Sequence, residues 1–296
     1  MKNTIKIFGI IAIAAIIGFT MVACEVEVTV TPPPPSPPPP YVISDSGMSF
    51  LATKGGIPVS WAGGSQQQGP INAVIDAIKV DAKGADITVQ LNTLNINTAN
   101  VEFSGDGWGT ITITGGISSG SSDFTMRVAN GVTAIINANI TNNTSSTALS
   151  VGSSSVVTIN GGTITGGIGV NLLANASLTV TGGTIIGTSE AGIKLNNNTN
   201  TLAVTGGKIQ GLGTGANTNT PVAIYVYDGG NINLSGDATI TSAALPDTGP
   251  DGRGTIYFYN YNSIPSVTIG NNVTVENIVE GLTIFDRGEK VTVNYL

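Results

Sequence analysis

A short phrase recurs three times in the middle of the chain. It reads "VTINGGTI" from Val157, "LTVTGGTI" from Leu178 and "LAVTGGKI" from Leu202. The copies align without gaps, and each places two glycines between two short segments in which apolar residues alternate. Self-similarity at a spacing of about two dozen residues is typical of solenoids, in which every repeat stacks on the one before it.

Each repeat contains three short segments, which we name A, B and C in the order A, B, glycine pair, C. Segment A reads "IGVNL", "GIKLN", "AIYVY", "TIYFY" and "LTIFD" in successive repeats, starting at residues 168, 192, 223, 255 and 282. Segment B starts at residues 157, 178, 202, 232, 267 and 291, which gives steps of 21, 24, 30, 35 and 24 residues. Alternation with a period of two predicts strands and not helices. The sequence therefore predicts an all-β chain, folded as a parallel β-helix with the alternating apolar residues inside.

This organisation resembles the right-handed parallel β-helix, the pectate-lyase-like superfold, and more narrowly the repeat-rich bacterial lipoproteins of that fold. The resemblance covers about residues 87–296 and rests on the repeated "TGGTI" phrase. It implies a right-handed solenoid, in agreement with the general preference for right-handed crossovers. Because the superfold includes polysaccharide lyases and hydrolases, it also brings in an enzymatic alternative.

The first 23 residues are predicted to be a lipoprotein signal peptide. Lys2 and Lys6 precede an apolar run from Ile7 to Val22, which is shorter than the roughly 20 residues that span a bilayer. The run ends at "MVAC", and Cys24 is the single cysteine of the chain. The motif resembles the lipobox of bacterial lipoproteins, which implies cleavage before Cys24 and acylation of its thiol. The alternative is an ordinary secretory signal with an incidental cysteine.

Three further regions follow the signal peptide. Residues 24–41 form the acylated cysteine and a proline-rich stalk, residues 42–86 a cap region with a helix near 70–82, and residues 87–296 the solenoid. The stalk contains "TPPPPSPPPP", which favours polyproline II and spans about 30 Å at ~3.1 Å per residue. A proline-rich recognition motif is the alternative. In the cap region Ile71, Val74, Ile75 and Ile78 share one helical face, which predicts a helix over the first coil; a plain surface helix is the alternative.

The charge of the chain excludes some partners. The net charge is −7, and removal of Lys2 and Lys6 leaves 9 basic and 18 acidic residues, or −9. Such a charge argues against nucleic acid and against electrostatic docking on anionic membranes. The predicted partners are the lipid bilayer, reached through acylated Cys24, and a glycan or a host or cell-surface protein. We predict no metal and no cofactor, and the chain has no histidine.

The outward residues of segment A provide the candidate binding site. Alternation predicts two outward columns near the C-terminus, one of Lys194, Tyr225, Tyr257 and Thr283 and one of Asn196, Tyr227, Tyr259 and Phe285, with Tyr261 just beyond. Aromatic residues make up only 5% of the chain, and its two longest insertions precede the strands of Tyr225 and Tyr257. Stacked aromatic side chains framed by polar loops suit a sugar ring or a protein partner. The alternative is that these tyrosines only stabilise the sheet.

The enzymatic alternative rests on one loop. Asp247, Asp251 and Arg253 lie together in "LPDTGPDGRG" and could form the rim of a site with acid and base groups. Loops of this composition are also ordinary turns. The glycine pairs lack a following "GK[ST]" and lie between two strands, so they are interpreted as corners and not as phosphate-binding loops.

A third class of function concerns the outward threonines of segment B. Flat threonine ladders on a solenoid can order ice, but the ladder of this chain is interrupted at Ala203, Asn233, Ser235 and Gly270. The sequence therefore favours an exported lipoprotein that binds or adheres, anchored in the bacterial envelope at the outer membrane or the cell surface. A polysaccharide lyase or glycoside hydrolase is the second reading.

Overall fold

The computed structural model describes residues 36–47, 49–63, 68–97, 99–213, 222–243, 255–259, 265–277, 284–286 and 292–295. The predicted signal peptide, Cys24 and the stalk up to residue 35 lie outside the described residues, so these assignments stay predictions. The described chain is all-β, with one helix near its start, and its strands stack as the coils of a parallel β-helix, which confirms the predicted fold class.

The solenoid has three faces, which we name A, B and C after the segments that form them. The first coils use long strands that cover faces B and C together: β4 (Ile87–Ile96), β6 (Ile111–Ser119) and β8 (Thr133–Asn142). Later coils form face B from separate strands: β10 (Val156–Ile159), β12 (Ser177–Val180), β14 (Thr201–Val204), β17 (Asn231–Leu234), β20 (Ser266–Ile269) and β23 (Thr292–Tyr295).

Faces C and A follow face B in each coil. Two strands run through both faces: β11 (Thr163–Leu172) and β13 (Thr184–Leu195). The remaining strands of face C are β15 (Lys208–Gly211), β18 (Thr239–Ser242) and β21 (Thr274–Asn277). The remaining strands of face A are β5 (Val101–Ser104), β7 (Phe124–Ala129), β9 (Thr147–Val151), β16 (Val222–Val226), β19 (Ile256–Phe258) and β22 (Ile284–Asp286).

The register of these strands places similar residues of successive coils above one another. Val157 pairs with Leu178, Leu178 with Leu202, and Leu202 with Ile232, all in parallel. Because side chains alternate along a strand, this register places one apolar residue of every coil above the next in a single core. The inward residues of face B from β10 to β20 are no more than 7% exposed, as the alternation predicts.

One predicted inward residue lies elsewhere. Ile168 is half-buried, whereas Val170 and Leu172 on the same strand are fully buried in the core. The pairing of β11 with β13 shifts between Gly166 and Ile168, where the chain turns from face C to face A. The bend at this point takes Ile168 out of the strict alternation, because alternation determines the side only within a regular strand.

The last coil differs from the predicted spacing by two residues. Val267 pairs with Val293, not with Val291, and Ile256 pairs with Ile284, not with Leu282. A shift of two residues leaves the predicted alternation unchanged, because the side-chain period is two. The alternation therefore fixes the side but leaves the register open.

The glycine pairs form the corners between faces B and C. Gly162 has a φ of 81° and Gly183 a φ of 79°, in the left-handed region that favours glycine. A Cβ on Gly162 would also clash with the carbonyl oxygen of Ala138. These features confirm that the pair serves the turn of the chain.

The N-terminal end is closed by a helix and a three-stranded sheet. Helix α1 (Gln68–Ala82) buries the predicted face of Ile71, Val74, Ile75 and Ile78, each at most 1% exposed, in the same core as the first coils. The predicted capping helix is thereby confirmed. Within the described residues, no helix is long and apolar enough to cross a membrane.

Sequence analysis did not predict the three strands that precede this helix. They are β1 (Tyr41–Asp45), β2 (Ser49–Lys54) and β3 (Ile57–Gly63), which pair antiparallel, while β1 also pairs in parallel with β4. Gly55 and Gly56 form the turn between β2 and β3, both with positive φ. A Gly-Gly pair between two alternating segments is a hairpin signal that the sequence contains.

Candidate functional site

Face A brings the predicted tyrosines together on adjacent coils. Lys194 pairs with Tyr225, and Tyr225 pairs with Tyr257, so these three form one outward column. The next column continues beyond the strands, because the backbone N–H of Tyr227 donates to Leu195 O at 2.8 Å and that of Tyr259 donates to Val226 O at 2.9 Å. The structure thus brings the four predicted tyrosines together.

Burial divides the four tyrosines into two pairs. Tyr225 and Tyr257 are 6% and 1% exposed, whereas Tyr227 and Tyr259 are 45% and 36% exposed. The buried pair forms a small apolar cluster with Ala191 and Val222, separate from the core inside the coils. The sequence places all four rings outside the sheet, but only Tyr227 and Tyr259 offer surface to a ligand. We call Tyr227 and Tyr259 the exposed tyrosine pair.

The rings of the four tyrosines contact one another. Within the exposed tyrosine pair the ring centroids lie 5.7 Å apart and the planes differ by 16°, which is a stacked arrangement. Tyr259 also stacks on buried Tyr225 at 6.2 Å and 24°, and Tyr225 contacts Tyr257 at 5.4 Å with tilted planes. Contacts of this kind contribute about 0.5–1.5 kcal/mol per pair beyond area burial. The exposed pair therefore rests on a packed aromatic layer.

An ion pair borders the rings on the side of the preceding coil. Lys194 donates a hydrogen bond of 2.5 Å to Glu190, and the Lys194 side chain is only 18% exposed. Its Nζ lies 5.3 Å from the ring centroid of Tyr225 and 5.9 Å from that of Tyr227. Both distances are within the range of cation–π attraction. In a regular strand residues four apart lie ~13 Å apart, so the corner of β13 between Gly187 and Ala191 is what brings Glu190 to Lys194. Alternation alone does not predict this pair.

Amide side chains continue the site toward the N-terminus. The side chain of Asn196 donates to Asn171 Oδ1 and to Leu172 O, the latter at 3.2 Å. Since Tyr227 N binds the carbonyl of Leu195, Asn196 lies one coil before Tyr227 in the same column. The site thus presents amides, an ion pair and two exposed rings along the direction of the stack.

Of the other predicted site residues, only Phe285 lies in the described part of the chain. The backbone of Phe285 pairs with Tyr257 and not at the level of Tyr259, which is the two-residue shift of the last coil. Asp247, Asp251 and Arg253, the predicted loop rim, lie outside the described residues, as do Thr283 and Tyr261. Cys24 also lies outside them.

A second polar cluster lies in the cap, and sequence analysis did not predict it. The Tyr41 hydroxyl donates to Asp81 Oδ2 at 2.6 Å, and Lys54 Nζ donates to the Tyr41 hydroxyl at 2.7 Å and to Asp81 at 3.1 Å. Tyr41 is buried in β1, Lys54 ends β2 and Asp81 is in the last turn of α1. The cluster therefore joins three elements of the cap.

The titration of these three groups follows from their contacts. Burial, and then the hydrogen bond to Asp81, raise the pKa of Tyr41 above its usual value. The hydrogen bond to Tyr41 is also the largest cause of the raised pKa of Lys54. The hydrogen bond from Tyr41, followed by that from Lys54, lowers the pKa of Asp81. Neutral Tyr41, charged Lys54 and charged Asp81 are thus the mutually stabilised forms.

Among the described residues, no group of three or more acidic or cysteine side chains is placed to hold a metal ion. Comparison with known protein families, curated proteins and solved structures found no match. The resemblance to pectate-lyase-like lipoproteins therefore remains a prediction beyond the parallel β-helix itself.

Proposed function

We propose that this protein is a binding or adhesion module, which takes a glycan or a protein on the exposed tyrosine pair of face A. The observation that carries the proposal is the pair itself: two stacked rings, 45% and 36% exposed, over a buried aromatic layer. Aromatic rings with a polar hydroxyl are suited to surfaces that are partly apolar and partly wet.

The alternative role, stabilisation of the sheet, is accounted for by the buried tyrosines Tyr225 and Tyr257. Tyr225 and Tyr257 remove almost all of their surface from water, so they supply most of the stabilisation that aromatic residues give here. Tyr227 and Tyr259 keep more than a third of their surface exposed, and their packing contributes correspondingly less. Their position on adjacent coils, beside polar amides, is better accounted for by recognition than by packing.

We further propose that the protein is exported and held in a bacterial envelope membrane by a lipid on Cys24. The proline-rich segment that begins at Thr31 would link the anchor to the solenoid. Several acyl chains anchor stably, whereas a single chain binds only marginally. The net charge of −7 is compatible with attachment by lipid and unfavourable for attachment by charge.

Binding is tested with the protein from Cys24 onward, carrying Cys24→Ser so that no lipid is attached. The protein is applied to arrays of glycans and of cell-surface proteins, alone and as Tyr227→Ala and Tyr259→Ala. We expect at least one ligand, and at least a tenfold loss of affinity in both variants. Val156→Ala is the matched control, because Val156 is also 45% exposed but lies on face B.

Two results would end the binding proposal. One is the absence of any ligand on both arrays. The other is a ligand that both tyrosine variants hold as tightly as the unchanged protein, since binding would then occur elsewhere.

The anchor is tested separately by labelling expressing bacteria with a radioactive fatty acid. We expect label on the unchanged protein and none on Cys24→Ser. An unlabelled protein, or label that survives Cys24→Ser, would contradict the lipid anchor and leave the binding proposal intact.

A further inference from the structure

We infer that the exposed tyrosine pair takes an uncharged glycan chain, and that the chain lies along the stack of coils. The inference rests on the proposed binding function and specifies the ligand class of the same site. It follows from the charges next to the rings, from the order of the polar groups and from the size of the apolar surface.

The charges next to the rings disfavour an acidic ligand. The cation of the site, Lys194, is 18% exposed and already bonded to Glu190, and it lies over the faces of Tyr225 and Tyr227. An acidic sugar would have to displace Glu190 and leave that carboxylate without its partner. Among the described residues, the charges next to the rings are thus a cation and a carboxylate that already neutralise each other, which favours a ligand without negative charge.

The polar groups of Asn196, Tyr227 and Tyr259 are arranged so that they could bind the hydroxyl groups of a sugar chain. Asn196, Tyr227 and Tyr259 follow one another on successive coils, which are ~4.8 Å apart in a β-sheet. The Asn196 amide nitrogen already donates to Asn171 and Leu172, so its Oδ1 would accept from a sugar hydroxyl, whereas the phenol groups can donate and accept. The two rings stack on each other, so the exposed ring edges, which carry the positive side of the quadrupole, meet the sugar oxygen atoms. A linear chain across the strands would contact all three groups.

The size of the apolar surface disfavours a protein partner. The other large apolar side chains that are exposed in the described residues are Ile57, Trp61, Val80 and Val156, which lie in the cap or on face B. Among the described residues, the exposed tyrosine pair adjoins Asn196 and the ion pair of Lys194 and Glu190, and these polar groups limit its apolar surface. A stable protein interface buries roughly 800 Å² per partner around an apolar centre, which the described residues of this site do not supply.

The test compares three groups of oligosaccharides by calorimetry on the Cys24→Ser protein: neutral chains of increasing length, chains with uronic or sialic acids, and chains of free amino sugars. We expect the neutral chains to bind best, to bind more tightly as they lengthen, and to change affinity by less than about twofold between low and high salt, because no ion pairs form. Tyrosine fluorescence of the unchanged protein should shift in the same titrations.

A pair of asparagine variants tests the direction of the chain. Asn196→Ala should weaken the neutral chain about three- to tenfold, the range of one lost hydrogen bond. Asn160→Ala on face B, which also removes an amide that bonds a neighbouring coil, should leave the affinity as it was. Equal affinities in both variants would contradict a chain that lies along the column.

The remaining outcomes separate this inference from the function it rests on. Preferred binding of acidic or amino-sugar chains with strong salt dependence would overturn the neutral ligand and keep the binding function. Binding to proteins alone would do the same. Absence of any ligand would overturn both.

Discussion

The middle coils and the last coils of the solenoid share one interior and differ outside. Between β10 and β14 the coils are 21 and 24 residues long, and between β14 and β20 they are 30 and 35 residues long. The inward positions stay apolar throughout, whereas the outward column of face A changes from Ser150, Asn171 and Lys194 to Tyr225 and Tyr257. The stacked interior therefore specifies the fold and leaves the outward column free to acquire a site.

The greatest loss of stability is expected if the cluster of Tyr225, Tyr257, Ala191 and Val222 acts as a second core. Ile185→Ala removes a fully buried side chain from the middle coils and should lower the free energy of unfolding by about 2–5 kcal/mol. Tyr257→Ala should cost a comparable ~3–5 kcal/mol, although Tyr257 lies outside the sheet. Denaturant unfolding measures both. A cost below ~1 kcal/mol for Tyr257→Ala would show that the cluster is only a surface feature.

The next effect concerns the corners that both regions share. Gly162→Ala should destabilise by about 1–3 kcal/mol, because it forces a positive φ on alanine and a clash with Ala138. Gly161→Ala is the matched control, since its added Cβ would have its nearest neighbour at 3.7 Å. Thermal unfolding of the two variants should differ clearly. Equal losses would mean that the corner needs two small residues and no special backbone conformation.

A smaller loss of stability is expected for the exposed tyrosines than for the buried ones. Tyr227→Ala should change the free energy of unfolding by about 1 kcal/mol or less, because the ring is 45% exposed. The same variant should lose ligand affinity, so stability and binding respond separately at Tyr227. A loss of stability as large as that of Tyr257→Ala would assign Tyr227 to packing.

The smallest effect lies in the cap, far from both regions. The pKa of Asp81 is lowered by the hydrogen bond from Tyr41, so its contribution is present above the ordinary carboxyl pKa and disappears as the pH falls through the lowered value. The pKa values of Tyr41 and Lys54 are raised, so their contributions are present below the ordinary values and disappear as the pH rises through the raised ones. The stability of the cap should therefore fall at both ends of the pH range.

Asp81→Asn should remove the acid part of this profile and slightly lower the melting temperature at neutral pH. Asp76→Asn, at an exposed position of the same helix, serves as the control. Thermal unfolding of both variants is followed by circular dichroism across the pH range. If both melting temperatures depend on pH in the same way, Asp81 does not provide the acid part of the profile.

Much of the fold could be predicted because a stacked solenoid repeats its local rules. Alternation identified the inward residues of face B, and the spacing of Ile71, Val74, Ile75 and Ile78 identified the capping helix. The register of the last coil could not be predicted, since a shift of two residues leaves the alternation unchanged. The hairpin of β2 and β3 was open to prediction from Gly55 and Gly56.

The candidate site could be predicted only in part. Alternation told which side of the sheet Tyr225 and Tyr257 occupy, but the depth of their burial depends on what packs over that side. Local sequence does not contain that information. The cluster of Tyr41, Lys54 and Asp81 was missed for the same reason, because it joins residues up to 40 positions apart.

Successive coils pair at equivalent positions, so whole coils could be removed or added. Residues 156–176 form one complete 21-residue coil, since Val156 pairs with Thr133 before it and with Ser177 after it. Removal or duplication of that stretch joins equivalent positions, so the molecule would shorten or lengthen by one coil, ~4.8 Å, with its cap and its tyrosines unaltered. Each middle coil added or removed would thus change the length of the solenoid by one strand spacing.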